Sequence, residues 1–491
     1  MEKKESFWLE VLASLSSYVL KGQDILELSY KHLPIYLKPW FLYFSAFEED
    51  REIPVKKLLS LWVSKGFIRQ NKDKRSEDVA EEYLIELIDR NMVQVAKRRH
   101  DNGVKTCTVH DLIHDMCLRI AREENFLKVI EEGGRTGGGR PAVSLYSRPS
   151  ISKLSVVGAT SRKSGFSINE HHLRLCDHSY RDFNSRLFDS LHIRSLFGIS
   201  IFSFHISRLR LLRVLRLPYI KRDIRTTESL VQLRYLETPY KVGRLENLEF
   251  LIITSGNVGI VFSNIPKLRL LKFKYPITFH SSCDFTSENS IETLSGVCIY
   301  SLKDEEKLRY FPHLRRLKCF YFLPNHCPDL SFFTKLESLS MLSFQKLKLI
   351  NFPTNIKKLT LFSFDIPCEM MSSIGKLPNL ETLKLESLDF KGENWSTNED
   401  EFLKLKFLKL ISLKFENWNT SKDHFPTLER LVLENCDYFK RIPSELGYIP
   451  TLQMIEVNSC GISIRESADE IRKEQEEEGN EELQVIINGR N

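Results

Sequence analysis

The apolar residues of this chain follow one repeated spacing over most of its length. From about residue 190 to about residue 460, a Leu-x-x-Leu-x-Leu triplet returns about every 20–25 residues. The clear copies are Leu212-Leu215-Leu217, Leu268-Leu271-Phe273, Leu314-Leu317-Cys319, Leu336-Leu339-Met341, Ile356-Leu359-Leu361, Leu380-Leu383-Leu385, Leu405-Leu408-Leu410 and Leu428-Leu431-Leu433. This period is typical of leucine-rich repeats, which stack short strands into a solenoid that presents surface rather than a reaction pocket.

Alternate residues of a strand point to opposite faces, so we expect the triplet leucines to turn into the core. The residues on either side of the second leucine then face a concave sheet surface. We predict that basic and aromatic residues of this surface bind a partner: Arg216, Tyr235, Phe250, Lys272, Arg316, Lys318, Phe320, Lys358, Phe362, Lys384, Phe407, Lys409 and Arg430. Fewer acidic residues share the surface: Glu237, Glu386, Glu434 and Glu456. This mixture favours a protein interface with an acidic partner over a merely solvated face.

The first part of the chain has apolar residues at helical spacing instead. The spacing and the proline and glycine positions predict helices over residues 6–20, 25–33, 39–47, 54–66 and 76–91. Two short strands over residues 92–95 and 106–109 flank the turn residues 101–103. Helices followed by a two-stranded wing predict a winged-helix domain, related to the helix-turn-helix.

The predicted fold class is α/β, with an N-terminal helical winged-helix domain followed by a curved leucine-rich-repeat solenoid that has a parallel concave sheet. The predicted boundaries are a helical remnant over 1–24, the winged-helix domain over 25–130, a linker over 131–190, the repeats over 191–463 and an acidic C-terminal cap over 464–491. Within the cap, we expect a helix over residues 467–482 and a last strand over residues 483–487.

Composition excludes some classes of protein. Hydrophobic residues at 42% and charged residues at 28% are typical of a soluble globular protein. We find no apolar run long enough for a membrane helix, no signal peptide and no metal-type cysteine spacing among the scattered cysteines. We therefore expect a cytoplasmic protein with reduced thiols. Residues 136–464 carry a basic surplus without clustering, so we expect protein partners, no nucleic acid and no integral membrane contact.

Three ordered motifs resemble one known family. Residues 41–50 read Phe-Leu-Tyr-Phe-Ser-Ala-Phe-Glu-Glu-Asp, residues 61–67 read Leu-Trp-Val-Ser-Lys-Gly-Phe, and residues 109–111 read Val-His-Asp. With the repeats, these phrases resemble plant intracellular immune receptors of the coiled-coil, nucleotide-binding, leucine-rich-repeat class, and within it the late blight resistance-protein homologues. Glu48 replaces the proline of the family's first phrase, and Val109 replaces the methionine of its Met-His-Asp signature.

The resemblance implies that the residue at His110 contacts the phosphates of ADP, with Asp111 beside it. In the family, a nucleotide-binding domain with a Gly-x-x-x-x-Gly-Lys-Ser/Thr loop precedes the winged helix. Residues 133–141 form the glycine-rich stretch here, and they contain neither lysine nor a following hydroxyl residue. We interpret them as linker and expect no cofactor in this chain, although the full-length family binds ADP or ATP.

His110 and Asp111 also have plainer interpretations. Asp111 is suited to cap the helix over residues 112–121, and we favour that structural role over nucleotide contact. The spacing of His110 and His114 could bring two imidazoles to one helix face, as in metal hydrolases, but the other histidines are scattered. The acidic helix over residues 76–91 argues against DNA reading by the winged helix.

These patterns together predict a non-enzymatic disease-resistance protein that recognises a pathogen effector, a guarded host protein or a complete receptor through its repeats, with the winged helix as a regulatory switch module. One alternative is part of an ADP/ATP-operated switch ATPase whose nucleotide-binding domain is encoded upstream. Another is an F-box-like ubiquitin-ligase adaptor, based on the Leu-Pro-Ile-Tyr-Leu phrase at residues 33–37.

Overall fold

The computed structural model describes most of the predicted winged helix and repeats. The described residues are 22–66, 68, 74–99, 103–124, 126–130, 171–175, 193–197, 209–217, 229–239, 242–255, 265–278, 289–345, 349–390, 394–480 and 482–489. The predicted helix over residues 6–20, the glycine-rich stretch 133–141 and most of the predicted linker lie outside the described residues.

The described helices and strands follow the order that the hydrophobic pattern predicts. The helices are α1 (Gly22–Lys31), α2 (Lys38–Leu42), α3 (Val55–Lys65), α4 (Ser76–Asp89), α5 (Asp111–Glu123), α6 (Leu302–Lys307), α7 (Cys368–Gly375) and α8 (Ile462–Glu477). The first strands are β1 (Ile53–Pro54), β2 (Gln94–Arg98), β3 (Val104–Thr108), β4 (Leu127–Ile130), β5 (His171–Leu175) and β6 (Ile193–Phe197).

The remaining strands belong to the repeats. They are β7 (Val214–Arg216), β8 (Tyr235–Thr238), β9 (Phe250–Ile253), β10 (Leu270–Thr278), β11 (Thr293–Ile299), β12 (Arg316–Tyr321), β13 (Ser338–Leu342), β14 (Lys358–Phe362), β15 (Asp365–Ile366), β16 (Thr382–Glu386), β17 (Asp389–Phe390), β18 (Asn394–Ser396), β19 (Phe407–Ile411), β20 (Asn417–Asn419), β21 (Arg430–Glu434), β22 (Met454–Asn458) and β23 (Gln484–Asn488).

The chain divides into two compact units. The first contains residues 1–51 and 109–202, and the second contains residues 52–108 and 203–491. In the first unit, the predicted aromatic helix is the short helix α2 continued by a 3-10 turn over Tyr43–Ala46. Trp40, Phe41 and Phe44 are almost fully buried there, as the prediction of a buried helix requires. Cys117 on α5 donates its thiol to the Phe41 carbonyl at 3.2 Å, which joins the two helices.

The second unit contains the wing and the repeats. Strand β3 pairs antiparallel with both β1 and β2, which confirms the predicted pair of wing strands, with bounds shifted by one to three residues and with β1 as a third strand. Helix α3 begins after Pro54, which lies at the N-cap instead of in the first turn. It ends at Gly66, whose φ of 75° is a left-handed conformation that glycine adopts without a Cβ penalty.

The repeat strands from β7 to β22 pair in parallel within the second unit, interrupted in chain order only by the short strands β15, β17, β18 and β20 on other sheets. The second leucines of successive triplets are direct partners, as Leu317, Leu339, Leu359 and Leu383 show. These four side chains are at most 2% exposed. Each such burial contributes about 1.5–3 kcal/mol, so this leucine row holds neighbouring repeats together.

A recurring turn ends the strands of the later repeats. Ser363, Ser387, Ser412, Asn435 and Ser459 each follow a strand by one residue and have φ between 51° and 57°. The backbone N–H of each donates to a carbonyl of the next strand, at 2.8–3.0 Å. Small or amide side chains tolerate this left-handed conformation, so the turn redirects the chain without leaving its N–H unpaired.

The predicted last strand is confirmed. Strand β23 pairs in parallel with β22, from Met454 opposite Gln484 to Asn458 opposite Asn488. Helix α8 precedes it and buries Ile464, Ala468 and Ile471, while its other faces carry the acidic residues of the tail. The helix begins five residues before the predicted start, because its buried face already includes Ile464.

Candidate protein-binding face

The side chains of the repeat strands alternate between the core and an open face. Along β12, Arg316 and Lys318 are exposed, and Leu317 and Cys319 are buried. The residue before the second leucine forms one row across the sheet: Val214, Tyr235, Phe250, Leu270, Thr293, Arg316, Ser338, Lys358, Thr382, Phe407, Arg430 and Met454. We call it the front row. The predicted partner-binding residues therefore do point away from the leucine core.

The beginning of this face is covered by helix α3 of the same chain. Tyr235 is 0% exposed and Phe250 is 3% exposed, so neither predicted binding residue is available to a separate partner in this arrangement. Helix α3 contacts β7 and β8, and its own residues from Leu58 to Lys65 are buried. The apolar front-row residues of β7–β9 thus form the platform on which the helix packs.

A half-buried charge cluster joins helix α3 to this platform. Lys57 Nζ lies 2.8 Å from Glu237 Oε2, and Arg216 Nε lies 2.8 Å from the same oxygen. Burial alone would raise the pKa of the Glu237 carboxyl, but Arg216 and Lys57 outweigh it and lower that pKa to about 2. The predicted binding residue Arg216 is therefore engaged within the chain. Glu237 is paired with two cations, and this favours the ionised form of its carboxyl group.

The C-terminal end of α3 meets two arginines of the repeats. Arg213 Nη1 donates to the Lys65 carbonyl, one of the last carbonyls of the helix. A Cβ at Gly66 would lie 2.9 Å from Arg213 Nη1 and 3.1 Å from Arg234 Nη1. Because a helix C-terminus carries partial negative charge, the two cations stabilise it. Gly66 is favoured by its left-handed φ, and a larger residue there would also displace the ends of the two arginine side chains.

The acidic helix α4 makes the second charged contact with the repeats. Glu77 in its first turn lies 3.0 Å from Arg269 Nη1, and Arg269 Nε lies 3.2 Å from Glu292. Desolvation alone would lower the pKa of Arg269, but the two carboxylates reverse this and raise it. The acidic composition of this helix, which argues against DNA reading, thus has a role inside the molecule.

Sequence reasoning missed a second row of charges. The residue after the first leucine of each triplet forms it, and its members alternate in sign after the first two: Arg213, Arg234, Glu249, Arg269, Glu292, Arg315, Glu337, Lys357, Glu381, Lys406 and Glu429. We call it the edge row. Observed pairs are Arg234–Glu249 at 2.6 Å, Arg315–Glu337 at 2.7 Å and Lys406–Glu429 at 3.2 Å. Aligning the triplets and comparing this one position would have found it.

The face over β12, β13, β14 and β16 has a different character. We call it the basic face, and it consists of Arg316, Lys318, Lys358 and Lys384, the hydroxyl residues Ser338, Ser340 and Thr360, and the bordering apolar residues Phe320, Leu342 and Phe362. Arg316 and Lys318 are exposed, and the others are half-buried. Desolvation and the nearby guanidinium groups of Arg75 and Arg315 lower the pKa of Arg316.

The other predicted binding residues lie on either side of the basic face. Lys272 on β10 is exposed, near the cation–π pair of Lys274 and Tyr275. Towards the C-terminus, Phe407 is half-buried, and the two cations are paired. Lys409 Nζ lies 2.5 Å from Glu434 and Arg430 Nη2 lies 2.6 Å from Glu456. The structure therefore separates the predicted set into residues that are covered within the chain and residues that face the open sheet. Of the latter, Lys384, Lys409 and Arg430 are paired with carboxylates of the chain itself.

His110 and Asp111 lie at the start of helix α5 in the first unit. His110 Nδ1 accepts from Leu112 N at 3.3 Å, and Asp111 Oδ1 accepts from the same N–H at 2.6 Å. His110 is the N-cap, whereas Asp111 is the first residue of the helix. Both side chains are about half exposed, at 51% and 53%. Their nucleotide-sensing role stays a prediction from resemblance, and titration of the chain with ADP tests it.

The described residues offer no cluster of potential metal ligands. His114, four residues after His110, is buried and its Nε2 lies 3.1 Å from the Phe47 carbonyl. No group of three or more His, Cys, Asp or Glu side chains converges within the described ranges. Seven cysteines of those ranges are free thiols: Cys107, Cys117, Cys298, Cys319, Cys327, Cys436 and Cys460. No helix among the described residues is both long and apolar enough to cross a bilayer.

Comparison with known proteins agrees with both halves of this architecture. Residues 46–117 match the family model described as the disease resistance protein winged helix domain. A late blight resistance protein homologue of Solanum demissum is 33% identical over 99% of this chain and 38% of its own length. A late blight resistance protein of the same species is 33% identical over 97% of this chain and 39% of its own length.

The chain is a homologue of the late blight resistance proteins. It spans about two-fifths of the length of these relatives. Among solved structures, an internalin from Listeria monocytogenes superposes with a TM-score of 0.38 at 14% identity, covering 57% of this chain and 82% of its own. A leucine-rich-repeat protein of Leptospira interrogans gives a TM-score of 0.37 at 15% identity, covering 60% and 90%.

Proposed function

We propose that this chain acts in plant defence by binding a protein partner through the open part of its repeat sheet, and that it has no enzymatic activity of its own. The observation that carries this proposal is the basic face, an accessible group of cations on a rigid parallel sheet. Homology to late blight resistance proteins supplies the biological context. Leucine-rich repeats provide extended surfaces for partner binding, which suits a receptor better than a catalyst.

We propose that the winged helix is the regulatory module of this recognition. Helix α3 contacts β7 and β8, where Lys57 pairs with Glu237. Helix α4 meets Arg269, just before β10, through Glu77, while Arg316 and Lys318 of the basic face are exposed. A partner that extends from the basic face towards β10 would compete with these contacts. Such competition provides a physical link between partner binding and the position of the winged-helix residues, because a partner carboxylate that reaches Arg269 would replace Glu77.

The experiment compares leaves that express the full chain with leaves that express a charge-reversed chain. The variant combines Arg316→Glu, Lys318→Glu and Lys358→Glu, and a variant with Lys303→Glu on helix α6 serves as the control. After inoculation with the late blight pathogen, the wild-type and control chains should limit lesion growth more than the triple variant. Equal lesion growth in all three, at equal protein levels, would contradict the proposal.

A further inference from the structure

Arginines of the edge row, next to the strand face, pair with negative groups of the winged helix. Arg269 pairs with two carboxylates, that of Glu77 on α4 and that of Glu292, the residue before β11. At Arg213 and Arg234, the carbonyl end of α3 supplies the negative charge. These edge-row contacts pair a cation of the repeats with a negative group of the winged helix, whereas Glu237 of the repeats pairs with the cation Lys57.

The basic face has a lysine at each end of one row of side chains that crosses four neighbouring strands. Neighbouring strands lie about 4.8 Å apart, so Lys318 on β12 and Lys384 on β16 are separated by about 14 Å across three strand steps. Between them, Ser340 and Thr360 occupy the same register and offer hydroxyl donors. An extended peptide rises about 3.4 Å per residue, so the side chains of residues i and i+4 span about the same 14 Å.

An apolar border runs parallel to this row. Phe320, Leu342 and Phe362 are aligned partners on β12, β13 and β14, two residues further along each strand. All three are half-buried. Beyond the strand ends, Tyr300 and Phe322 stack with ring centroids 4.6 Å apart, and the neighbouring Phe344 is 68% exposed. Exposed aromatic residues beside cations are typical of protein-binding surfaces.

We propose that the basic face binds an extended acidic segment of a protein, whose Asp or Glu side chains at positions i and i+4 reach Lys318 and Lys384. Arg316 and Lys358 flank the segment on one side, and its apolar residues pack on Phe320, Leu342 and Phe362 on the other. The occupant is a peptide with carboxylates, because the hydroxyl residues and the apolar border match backbone and side-chain groups of a polypeptide. This inference rests on the proposed recognition function and adds the chemistry of the partner.

The test is a selection of random peptides of about twelve residues, long enough to cross the basic face. The full-length wild-type chain is the bait, and a Lys318→Glu/Lys384→Glu chain is used for counter-selection. We expect enriched peptides with Asp or Glu four residues apart and with apolar neighbours. For a selected peptide, the double variant should weaken binding at least about tenfold, and the Lys303→Glu control should leave it within about twofold. Circular dichroism of each variant confirms that the fold is retained.

Several results would overturn the proposal. Enrichment of basic or uncharged peptides that still depend on Lys318 would reject the acidic partner but leave recognition through this face intact. Binding of an oligoribonucleotide with the same dependence on Lys318 and Lys384, and tighter than any selected peptide, would identify a nucleic-acid surface instead. Selected peptides that are insensitive to both lysines, or no enrichment at all, would count against the acidic segment and against the proposed function together.

Discussion

The two ends of the open sheet face are built on the same leucine ladder but differ in what lies on them. Over β7–β9, the front row is Val214, Tyr235 and Phe250, all buried, and helix α3 contacts β7 and β8 there. Over β12–β16, the same row is Arg316, Ser338, Lys358 and Thr382, of which Arg316 is exposed. One backbone thus carries an internal docking platform at one end and polar, partly exposed side chains at the other. The front-row side chains decide which of the two each strand becomes.

The comparison also changes the meaning of the basic surplus over the repeats. By itself, that surplus predicts an acidic partner. In the structure, part of the acidic partner is the chain's own helix α4, through Glu77 and Arg269. At the contact with α3 the signs are reversed, since Glu237 of the repeats pairs with Lys57 of the helix. Arg316 and Lys318 are exposed, so they are the first candidates for contact with a separate molecule.

The largest expected difference between the two regions is in packing. Tyr235 and Lys358 occupy the same front-row position, but only Tyr235 is 0% exposed. Tyr235→Ala should lower the free energy of unfolding by about 3–5 kcal/mol, because it leaves a cavity beneath α3. Lys358→Ala should change it by less than about 0.5 kcal/mol. Urea denaturation of both variants measures the difference, and equal effects would show that α3 does not depend on this platform.

The next effect is a pH dependence of the covered region. Because the folded pKa of Glu237 is lowered to about 2, its stabilisation is fully present above the unfolded pKa and is lost as pH falls from about 4.5 towards 2. The lowering is equivalent to about 3 kcal/mol, since one pKa unit is worth about 1.4 kcal/mol. Glu237→Gln should remove this part of the acid dependence.

The matched control for Glu237 lies in the open region. Glu386 pairs with Lys384 at 2.6 Å, but both side chains are more exposed than those of the Glu237 cluster. Glu386→Gln should therefore leave the acid dependence of unfolding nearly unchanged, because solvent screens such pairs. Urea titrations at several pH values between about 2 and 6 provide the comparison. If the free energy of unfolding depends on pH in the same way in wild type and Glu237→Gln, the charge cluster at Glu237 does not stabilise the fold as expected.

The smallest of the three effects concerns the contact of helix α4 with the repeats. Glu77→Gln removes the carboxylate that meets Arg269, while Glu292 keeps the arginine partly paired. We expect a loss of about 1 kcal/mol, seen as faster amide hydrogen exchange along Ser76–Asp89. Glu82→Gln on the same helix is the control, since Glu82 pairs with the exposed Lys74. Unchanged exchange in the Glu77 variant would show that packing alone seats the helix.

Much of the fold is predictable because the responsible signals are local and periodic. The leucine triplets mark β12–β14, β16, β19 and β21 in the right register, and alternation assigns core and surface along them. Turn residues and apolar spacing find the wing and the last strand. Helix ends are less well predicted, as at Pro54 and at the start of α8, because capping depends on backbone conformation.

The candidate site is only partly predictable from the same residues. Arg216, Lys318 and Arg430 each flank the second leucine of a triplet, so sequence assigns them one role. In the structure, Arg216 belongs to the half-buried cluster with Glu237, Lys318 is exposed, and Arg430 pairs with Glu456. The edge row was hidden for another reason, since its alternating signs appear only when successive repeats are compared position by position.

The sequence by itself determined the repeat, the inward leucines and the set of side chains that point outward, because strand geometry fixes these from neighbouring residues. Tertiary structure decided which outward residues stay accessible. Helices α3 and α4 precede the repeats in the chain by well over a hundred residues and nevertheless contact β7, β8 and Arg269. Long-range burial of this kind depends on packing between distant segments, which no local spacing encodes.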